Sequence, residues 1–475
     1  MIRALPPYPA YKDSGVPWLG QVPEHWEVRK LRALFTKAGS GTTPSGEEFY
    51  GGDIPWVVTG DLNDSVLTNT TSAVNARALE TFSALRLYPK DSLIVAMYGA
   101  TIGKTAILGI EACTNQACCV LAEPRRGVLV RFIQSAVIAA KGYLVRQGYG
   151  GGQPNINSEI VHSLRIPVPP CREQTAIVRF LDYMDRRIRR SIRAKQKLIK
   201  LLEEYRQALI HQAVTGKIDV RTGKPYSAYK DSGVPWLGQV PEHWEVVSLY
   251  GFARRKKITN CAERELLSVY LGRGVVRFAD MPEKRTNPTS EDLSKYQAVD
   301  PGDFVLNNQQ AWRGSVGVSR HAGIVSPAYL VLSLNERINP DFADRLFQDR
   351  TIVDQYLLCS KGVGSIQRNL YWQDLKRVSV PLPPLPEQTA IVEYLDAQTA
   401  KLDAAIAVAR REIELLREYR ERLIADVVTG KVDVREVAAQ LPEEPPDQEA
   451  GTEEEEAVAD ELATVDSQEE SNGEE

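Results

Sequence analysis

The sequence predicts an α+β chain: two tandem α/β domains, each followed by a long helix, with the two helices pairing as an antiparallel coiled coil. Three repeats predict it. Residues 11–28, YKDSGVPWLGQVPEHWEV, recur unchanged at 229–246. EQTAIV at 173–178 returns at 387–392, and EYRQALIHQAVTGKIDV (204–220) returns as EYRERLIADVVTGKVDV (418–434). The repeating unit spans roughly 215 residues, far too long for a solenoid repeat, so the chain is a duplicated domain pair.

Within each copy the opening strap (11–28 and 229–246) and the last sixty or so residues match closely, while the middles (about 30–145 and 247–355) have diverged. The middles hold short β-branched runs, IPWVV, SLIVAM, FVLNN and YLVLSL, punctuated by Gly, Pro and Asp, which read as strands and loops. Scattered positions still align: Tyr98 with Trp312, Thr101 with Ser315, Ile102 with Val316, and Gly103 with Gly317. Proline-rich exits, RIPVPP (165–170) and VSVPLPPLP (378–386), disfavour helix.

A long helix then starts at Glu173 and again at Glu387. Shared apolar positions are Leu181, Ile188, Ile192, Ile199, Leu202 and Leu209, matched by Leu395, Leu402, Ile406, Ile413, Leu416 and Leu423. This is a heptad-type stripe. From Glu173 to His211 the helix would run about 58 Å at 1.5 Å per residue. Two equal helices with narrow seams, neither stable alone in water, bury those seams against each other. Gly216 and Gly430 stand where C-terminal caps belong. The expected divisions are 1–170 (first domain), 171–216 (first helix), 217–228 (linker), 229–385 (second domain), 386–430 (second helix) and 431–475 (acidic, disordered tail).

The 475 residues have ordinary globular composition. The net charge of −4 conceals an asymmetry, because residues 436–475 hold 16 Asp+Glu and no Lys or Arg. The remaining chain carries 58 basic against 46 acidic groups, a net of +12, so polyanions are plausible partners. No apolar run approaches the roughly 20 residues of a membrane span. The start has no apolar stretch of signal-peptide length. Six cysteines without CxxC pairs or histidines at zinc spacing argue against a metal site or disulfide scaffold and point to reducing cytosol.

Gly99-Ala-Thr-Ile-Gly103-Lys104-Thr105 resembles a phosphate-binding loop but has three residues between its glycines where four are required. An alternative is a glycine-permitted turn presenting Tyr98, Thr101 and Lys104, and Trp312, Arg313 and Ser315 in the second copy, to DNA edges or phosphates. A plain hairpin of the fold is equally compatible. QGYGGGQPNINS (147–158) and KGVGSIQRNL (361–370) share Gly150/Gly364, Gln153/Gln367 and Asn155/Asn369, with Arg368 adjacent. Gln and Asn pair bidentately with adenine, although a Gly/Asn turn alone also explains them. The run RRIRRSIRAKQKLIK (186–200) either faces phosphates or forms a solvated helix face. The strap holds Trp18, Trp26, Trp236 and Trp244, four of the seven tryptophans, as a partner-binding surface or a structural strap. No methyltransferase loop, Walker motif or nucleophile elbow is present in the sequence.

Taken together, these motifs resemble the specificity subunit of type I restriction–modification systems. The residues that carry the resemblance are the repeated PxxWLGxxPxHWxV, Tyr-Gly-Ala-Thr-Ile-Gly-Lys at 98–104, the Gly…Gln-x-Asn-Ile loop, PxEQTAIVxxLD and VTGKIDV, covering residues 11–435. The resemblance implies two target-recognition domains related by pseudo-twofold symmetry, each reading one half of a split double-stranded DNA sequence. Residues 30–165 would read one half and 247–380 the other, with the helices fixing the gap. It implies two methyltransferase subunits, which bring S-adenosylmethionine, and ATP-driven motor–nuclease subunits. The chain itself would carry no cofactor and perform no chemistry. A coiled-coil scaffold joining two non-DNA ligand domains is the alternative, and a single-chain restriction–methylation enzyme would need motifs that are missing.

Overall fold

The computed structural model describes residues 5–149, 154–280, 292–363 and 367–442. It divides into two compact units, residues 1–195 with 411–446 and residues 196–410. Each unit contains one domain and part of both long helices, so each is assembled from both repeats.

In unit 1 the domain is built on a five-stranded sheet. Its strands run in the order Phe35–Gly39, Cys118–Pro124, Leu93–Ala96, Thr105–Leu108 and Ser65–Leu67. Neighbours are antiparallel except Ser65–Leu67, which adds parallel to Thr105–Leu108 at the edge. Unit 2 repeats the first four in the same order: Ala253–Lys256, Tyr329–Leu334, Phe304–Asn307 and Val316–Val318. The fifth strand is replaced by a separate hairpin, Leu267–Tyr270 with Gly274–Arg277, lying beside Val316–Val318. Leu93–Ala96, Thr105–Leu108, Phe304–Asn307 and Val316–Val318 are buried at every residue, as their largely apolar runs require. Helix Val130–Ala139 covers the unit 1 sheet, and Pro340–Phe347, started by the Asn339 side chain accepting from Asp341 N–H at 2.9 Å, covers that of unit 2.

The strap closes each domain. Glu27–Lys30 pairs antiparallel with the exit strand Arg165–Val168, and Glu245–Ser248 pairs with Ser379–Leu382. These pairings bring the two ends of each domain together at the point where its helix begins.

The long helices span Cys171–Val214 and Leu385–Val428, 44 residues each. Both start two residues before the expected glutamate, directly after a Pro-Pro pair. Within unit 1, Asp185 pairs with Arg420 and Lys195 with Glu412. Within unit 2, Glu203 pairs with Arg410 at 3.0 Å and Arg206 with Asp403 at 3.5 Å. In both units residue numbers rise along one helix as they fall along the other, so the pairing is antiparallel. The heptad stripe faces inward: Leu181, Ile188, Ile192, Leu209, Leu395, Ile406, Ile413 and Leu423 are all buried. Ile199, Leu202, Leu402 and Leu416 are half-buried.

Gly216 (φ +73°) and Gly430 (φ +76°) end the helices in the left-handed region. Lys217 N–H donates to Gln212 O at 2.8 Å, and Lys431 N–H to Asp426 O at 2.9 Å, closing the last turns. Space also demands glycine here, because a Cβ would strike Pro241 and Trp244 at Gly216, and Pro23 and Trp26 at Gly430. The first strap thus lies on the end of the second helix, and the second strap on the end of the first.

Residues 431–442, assigned to the disordered tail, are structured. Arg435–Gln440 is a short helix with Val434 and Ala438 buried. Asp433 N–H donates to Pro6 O at 2.7 Å and Arg179 to Leu441 O at 2.6 Å, so the strap and first helix organise residues 431–442. Residues 443–475, where the acidic charge concentrates, lie outside the described residues.

Candidate nucleic-acid interface

Two of the four strap tryptophans are sealed inside the fold. Trp26 and Trp244 have 0% exposure. Trp18 and Trp236 are half-buried, with Trp18 donating its indole N–H to Arg165 O at 3.2 Å and stacking on Tyr143. The partner-binding expectation for Trp26 and Trp244 is therefore corrected, because no incoming surface can reach them.

The strap and the helix start instead form a buried latch. His243 Nε2 lies 2.8 Å from Glu387 Oε2, Trp244 Nε1 donates to Glu387 Oε1 at 3.1 Å, and the Tyr226 hydroxyl also donates to Oε1. Burial pushes the Glu387 carboxyl up, but hydrogen bonds from Tyr226, His243 and Trp244 outweigh it and hold it below the usual range. Burial, then the bond to Glu387, raises the Tyr226 hydroxyl well above the usual phenol range, so it remains a donor. In unit 1 His25 sits 2.9 Å from Glu173. There the matching Tyr8 Oη, Trp26 Nε1 and Glu173 Oε1 are buried with no hydrogen bond among the described residues, and Arg435 lies 3.7 Å from Glu173 Oε1. The next residue stitches the domain exit to its helix. Gln174 accepts from Leu129 N–H (2.9 Å) and donates to Pro169 O (2.8 Å), while Gln388 accepts from Asn339 N–H (2.7 Å) and donates to Pro383 O (2.8 Å). The repeated HW and EQ motifs are thus explained by folding.

The two divergent motifs of each copy do meet. In unit 1 the turn between Leu93–Ala96 and Thr105–Leu108 lies against the Gly/Asn loop. Tyr98 bridges Asn155, Ile156 N–H donates to Met97 O at 2.9 Å, and Gly99 N–H to Asn155 Oδ1 at 3.3 Å. In unit 2, Leu370 N–H donates to Asn308 O at 3.1 Å, the same junction. The hydrogen-bond register corrects the turn alignment by three residues. Ala96 N–H donates to Lys104 O in one unit, and Asn307 N–H to Ser315 O in the other. Gly103 (φ +78°) therefore matches Gly314 (φ +105°), both left-handed, whereas Gly317 is an ordinary strand residue. Thr101 matches Trp312: the Thr101 hydroxyl donates to Tyr98 O at 2.6 Å, and Trp312 Nε1 donates to Gln309 O at 2.9 Å, each three residues back.

At the junction of unit 1, Tyr98 is 42% exposed, Thr101, Lys104 and Asn155 are half-buried, and Tyr149, bridged to Asn155, is 58% exposed. In unit 2, Arg313 and Arg368 lie 5.1 and 5.9 Å from the Trp312 ring, and Lys361 lies 5.1 Å from the Tyr371 ring. Such cation–aromatic pairs hold positive charge at a fixed place on the surface. Ser315 is buried at 3% exposure, which corrects its candidacy: it aligns with Lys104 but is closed off from the surface. Gln153 and the side chain of Gln367 lie outside the described residues. Sequence reasoning missed Tyr149, Gln309, Lys361 and Tyr371, which only the loop–turn pairing brings to the junction.

Most of the basic run on the first helix is already engaged. Arg189 and Arg420 both pair with Asp185, Arg187 donates to Tyr183 Oη at 2.9 Å, Lys195 pairs with Glu412, and Arg186, Arg190 and Arg193 also have partners. Burial pushes Asp185 up, but Arg420 and Arg189 outweigh it and hold its carboxyl low. The buried cysteines offer no nucleophile. Burial pushes Cys118 and Cys119 up to about 12, and it lowers His162, 3.5 Å from Cys119, so both partners stay neutral. Among the described residues no cluster could hold a metal ion, and no helix is long and apolar enough to cross a membrane.

The sequence matches the family described as type I restriction modification DNA specificity domain over residues 23–201 and again over 241–414. It is 23% identical over 434 residues to the type I restriction enzyme MjaVIII specificity subunit of Methanocaldococcus jannaschii, covering 87% of this chain and 95% of that protein. It is 20% identical over 453 residues to the EcoKI specificity subunit of Escherichia coli, covering 90% and 92%. The fold matches a chain from a solved type I restriction–modification system with a TM-score of 0.63 at 17% identity, covering 86% of this chain and 99% of that one. With the family domain matched twice over most of its length, the chain belongs to the type I restriction–modification DNA specificity family.

Proposed function

We propose that this chain is the non-catalytic DNA-recognition subunit of a type I restriction–modification complex, and that each unit reads one half of a split target. The reading surfaces are Tyr98, Thr101, Lys104 and Asn155 in unit 1, and Trp312, Arg313 and Arg368 in unit 2. One observation carries the reading. The same turn–loop junction, with the same backbone hydrogen bonds, presents different side chains in the two units. A shared frame with unlike surfaces suits two different half-sites, and the net charge of +12 before residue 436 suits a polyanion.

The paired helices set the spacing between half-sites and carry the docking sites for two methyltransferase subunits. Leu201 and Tyr205 on the first helix are 52% and 58% exposed, and their repeat-equivalents Leu415 and Tyr419 on the second are 47% and 41% exposed. Equivalent exposed apolar pairs fit two copies of one partner, as do the half-buried Trp18 and Trp236. Methyl transfer and ATP-driven cleavage belong to those methyltransferase subunits and to motor–nuclease subunits. The work belongs in the reducing cytoplasm, a reading that the unpaired cysteines and the DNA target support.

The test is Arg368→Ala in the assembled methyltransferase complex. A guanidinium reading a base edge contributes about 1–3 kcal/mol of discrimination. Binding should weaken by that amount on the cognate site and become indifferent to one base pair of the second half-site, with the first half-site still read. A loss equal on all sequences, or none, would remove Arg368 from base reading.

A further inference from the structure

Unit 2 has a cavity lined by three arginines. The hairpin that replaces the fifth strand turns at Gly272, Arg273 and Gly274, with both glycines at positive φ (+70° and +69°). Its backbone presses against strand Val316–Val318, where a Cβ on Gly317 would come within 2.7 Å of Gly274 Cα. That close approach, which only the paired glycines permit, sets Arg273 at the rim of a cavity of about 230 Å³ also lined by Arg320, His321, Asp344 and Arg345. Arg273 is exposed and has no ion pair among the described residues. Arg320 holds Asp341 at 2.8 Å and Arg345 holds Asp396 at 2.9 Å, each through one Nη2, so other N–H groups of both remain available. Asp344 is already occupied: its Oδ1 accepts from Val318 N–H and from the Gln348 amide, both at 2.8 Å.

In unit 1 the residue matching Arg345 is Arg131, which pairs with Asp182 as Arg345 pairs with Asp396. There the adjoining cavity is only about 40 Å³, and of its three carboxylates, Asp64, Asp182 and Asp185, the last two pair with Arg131 and Arg420 of the same lining. The scaffold position is shared, but three guanidiniums line the unit 2 cavity with one carboxylate, against two guanidiniums with three carboxylates in unit 1. The basic cavity also borders the candidate reading surface, because Leu271 of the same hairpin turn touches Gly314, next to Arg313.

We propose that this cavity binds a phosphate group, and that in the DNA complex the phosphate belongs to the backbone flanking the second half-site. Planar guanidinium groups match a phosphate's oxygens in two-point contacts, and three of them here face one occupied carboxylate. The second part rests on the DNA-recognition reading above. Arg273 then supplies affinity without sequence information, unlike Arg368.

Two arms test it on the full-length chain. In the first, the complex with methyltransferase subunits binds DNA across a salt series. Arg273→Ala should lower the log–log salt slope by about one and weaken low-salt binding several-fold, equally with an intact or a scrambled second half-site, and Arg273→Lys should restore the slope. In the second, inorganic phosphate is titrated against the chain alone and the His321 ring is followed by NMR. Its resonance should shift in the parent and not in Arg273→Ala. An unchanged slope with a phosphate-dependent shift overturns the DNA source, and neither effect overturns the site. If the parent complex binds no DNA while the shift persists, the recognition reading falls and the phosphate site stands.

Discussion

Replacing Trp26 or Trp244 with alanine is expected to destabilise its own unit by about 3–5 kcal/mol, the largest stability effect of any single change in the strap. Both indoles are fully buried, at the centre of separate apolar cores. Trp26 meets Tyr8 edge-on at 5.5 Å and Trp244 meets Tyr226 at 5.9 Å, and each also packs on the glycine that ends a long helix. Removing the ring opens a cavity bounded by strap, helix start and helix end, three segments that cannot collapse together without breaking the latch. Denaturant unfolding should show the loss as a lowered midpoint. A change below about 1 kcal/mol would mean that the strap is peripheral to folding.

Glu387→Ala should cost about 3 kcal/mol at pH 7, in the range for removing one member of a buried, hydrogen-bonded charged group. It leaves the Trp244 N–H without an acceptor in a buried site and strips His243 and Tyr226 of their shared partner. The pH dependence has a definite sign. Because the folded-state carboxyl is held below its ordinary value of 4.5, its stabilisation is complete above that value. It declines as pH falls past the ordinary value and is gone once the folded carboxyl is protonated. The difference between parent and Glu387→Ala, measured by urea unfolding, should therefore shrink from pH 7 to pH 4. A difference that grows on acidification would contradict the latch.

The long helices were legible because their signal is local and written twice: a heptad stripe, a Pro-Pro entry and a glycine exit. What the strap does was not legible. His25 and Glu173 are 148 positions apart, and only folding shows that the HW and EQ motifs are two sides of one contact. Tryptophan in an invariant repeat signals importance without saying whether it faces outward. The turn alignment failed for a different reason. Gly314 and Gly317 are both glycines near the right place, and only backbone register separates the left-handed turn residue from the strand residue beside it. Ser315 inherited that error and proved buried. The basic run, counted as charge, is mostly engaged within the fold, with Arg189 and Lys195 holding carboxylates on their own and the facing helix. The start of the tail was read as disordered from its acidity, although Asp433, Val434 and Ala438 dock on unit 1 before the densest acidic stretch begins.

The central claim is that one framework, made twice, carries two independent reading surfaces. It is tested most directly by exchanging residues 247–380 for the matching stretch of another family member and sequencing the adenines methylated by the reassembled complex. One half of the methylated sequence should be replaced by the donor's, with the other half and the gap between them unchanged. Methylation altered in both halves would contradict the account.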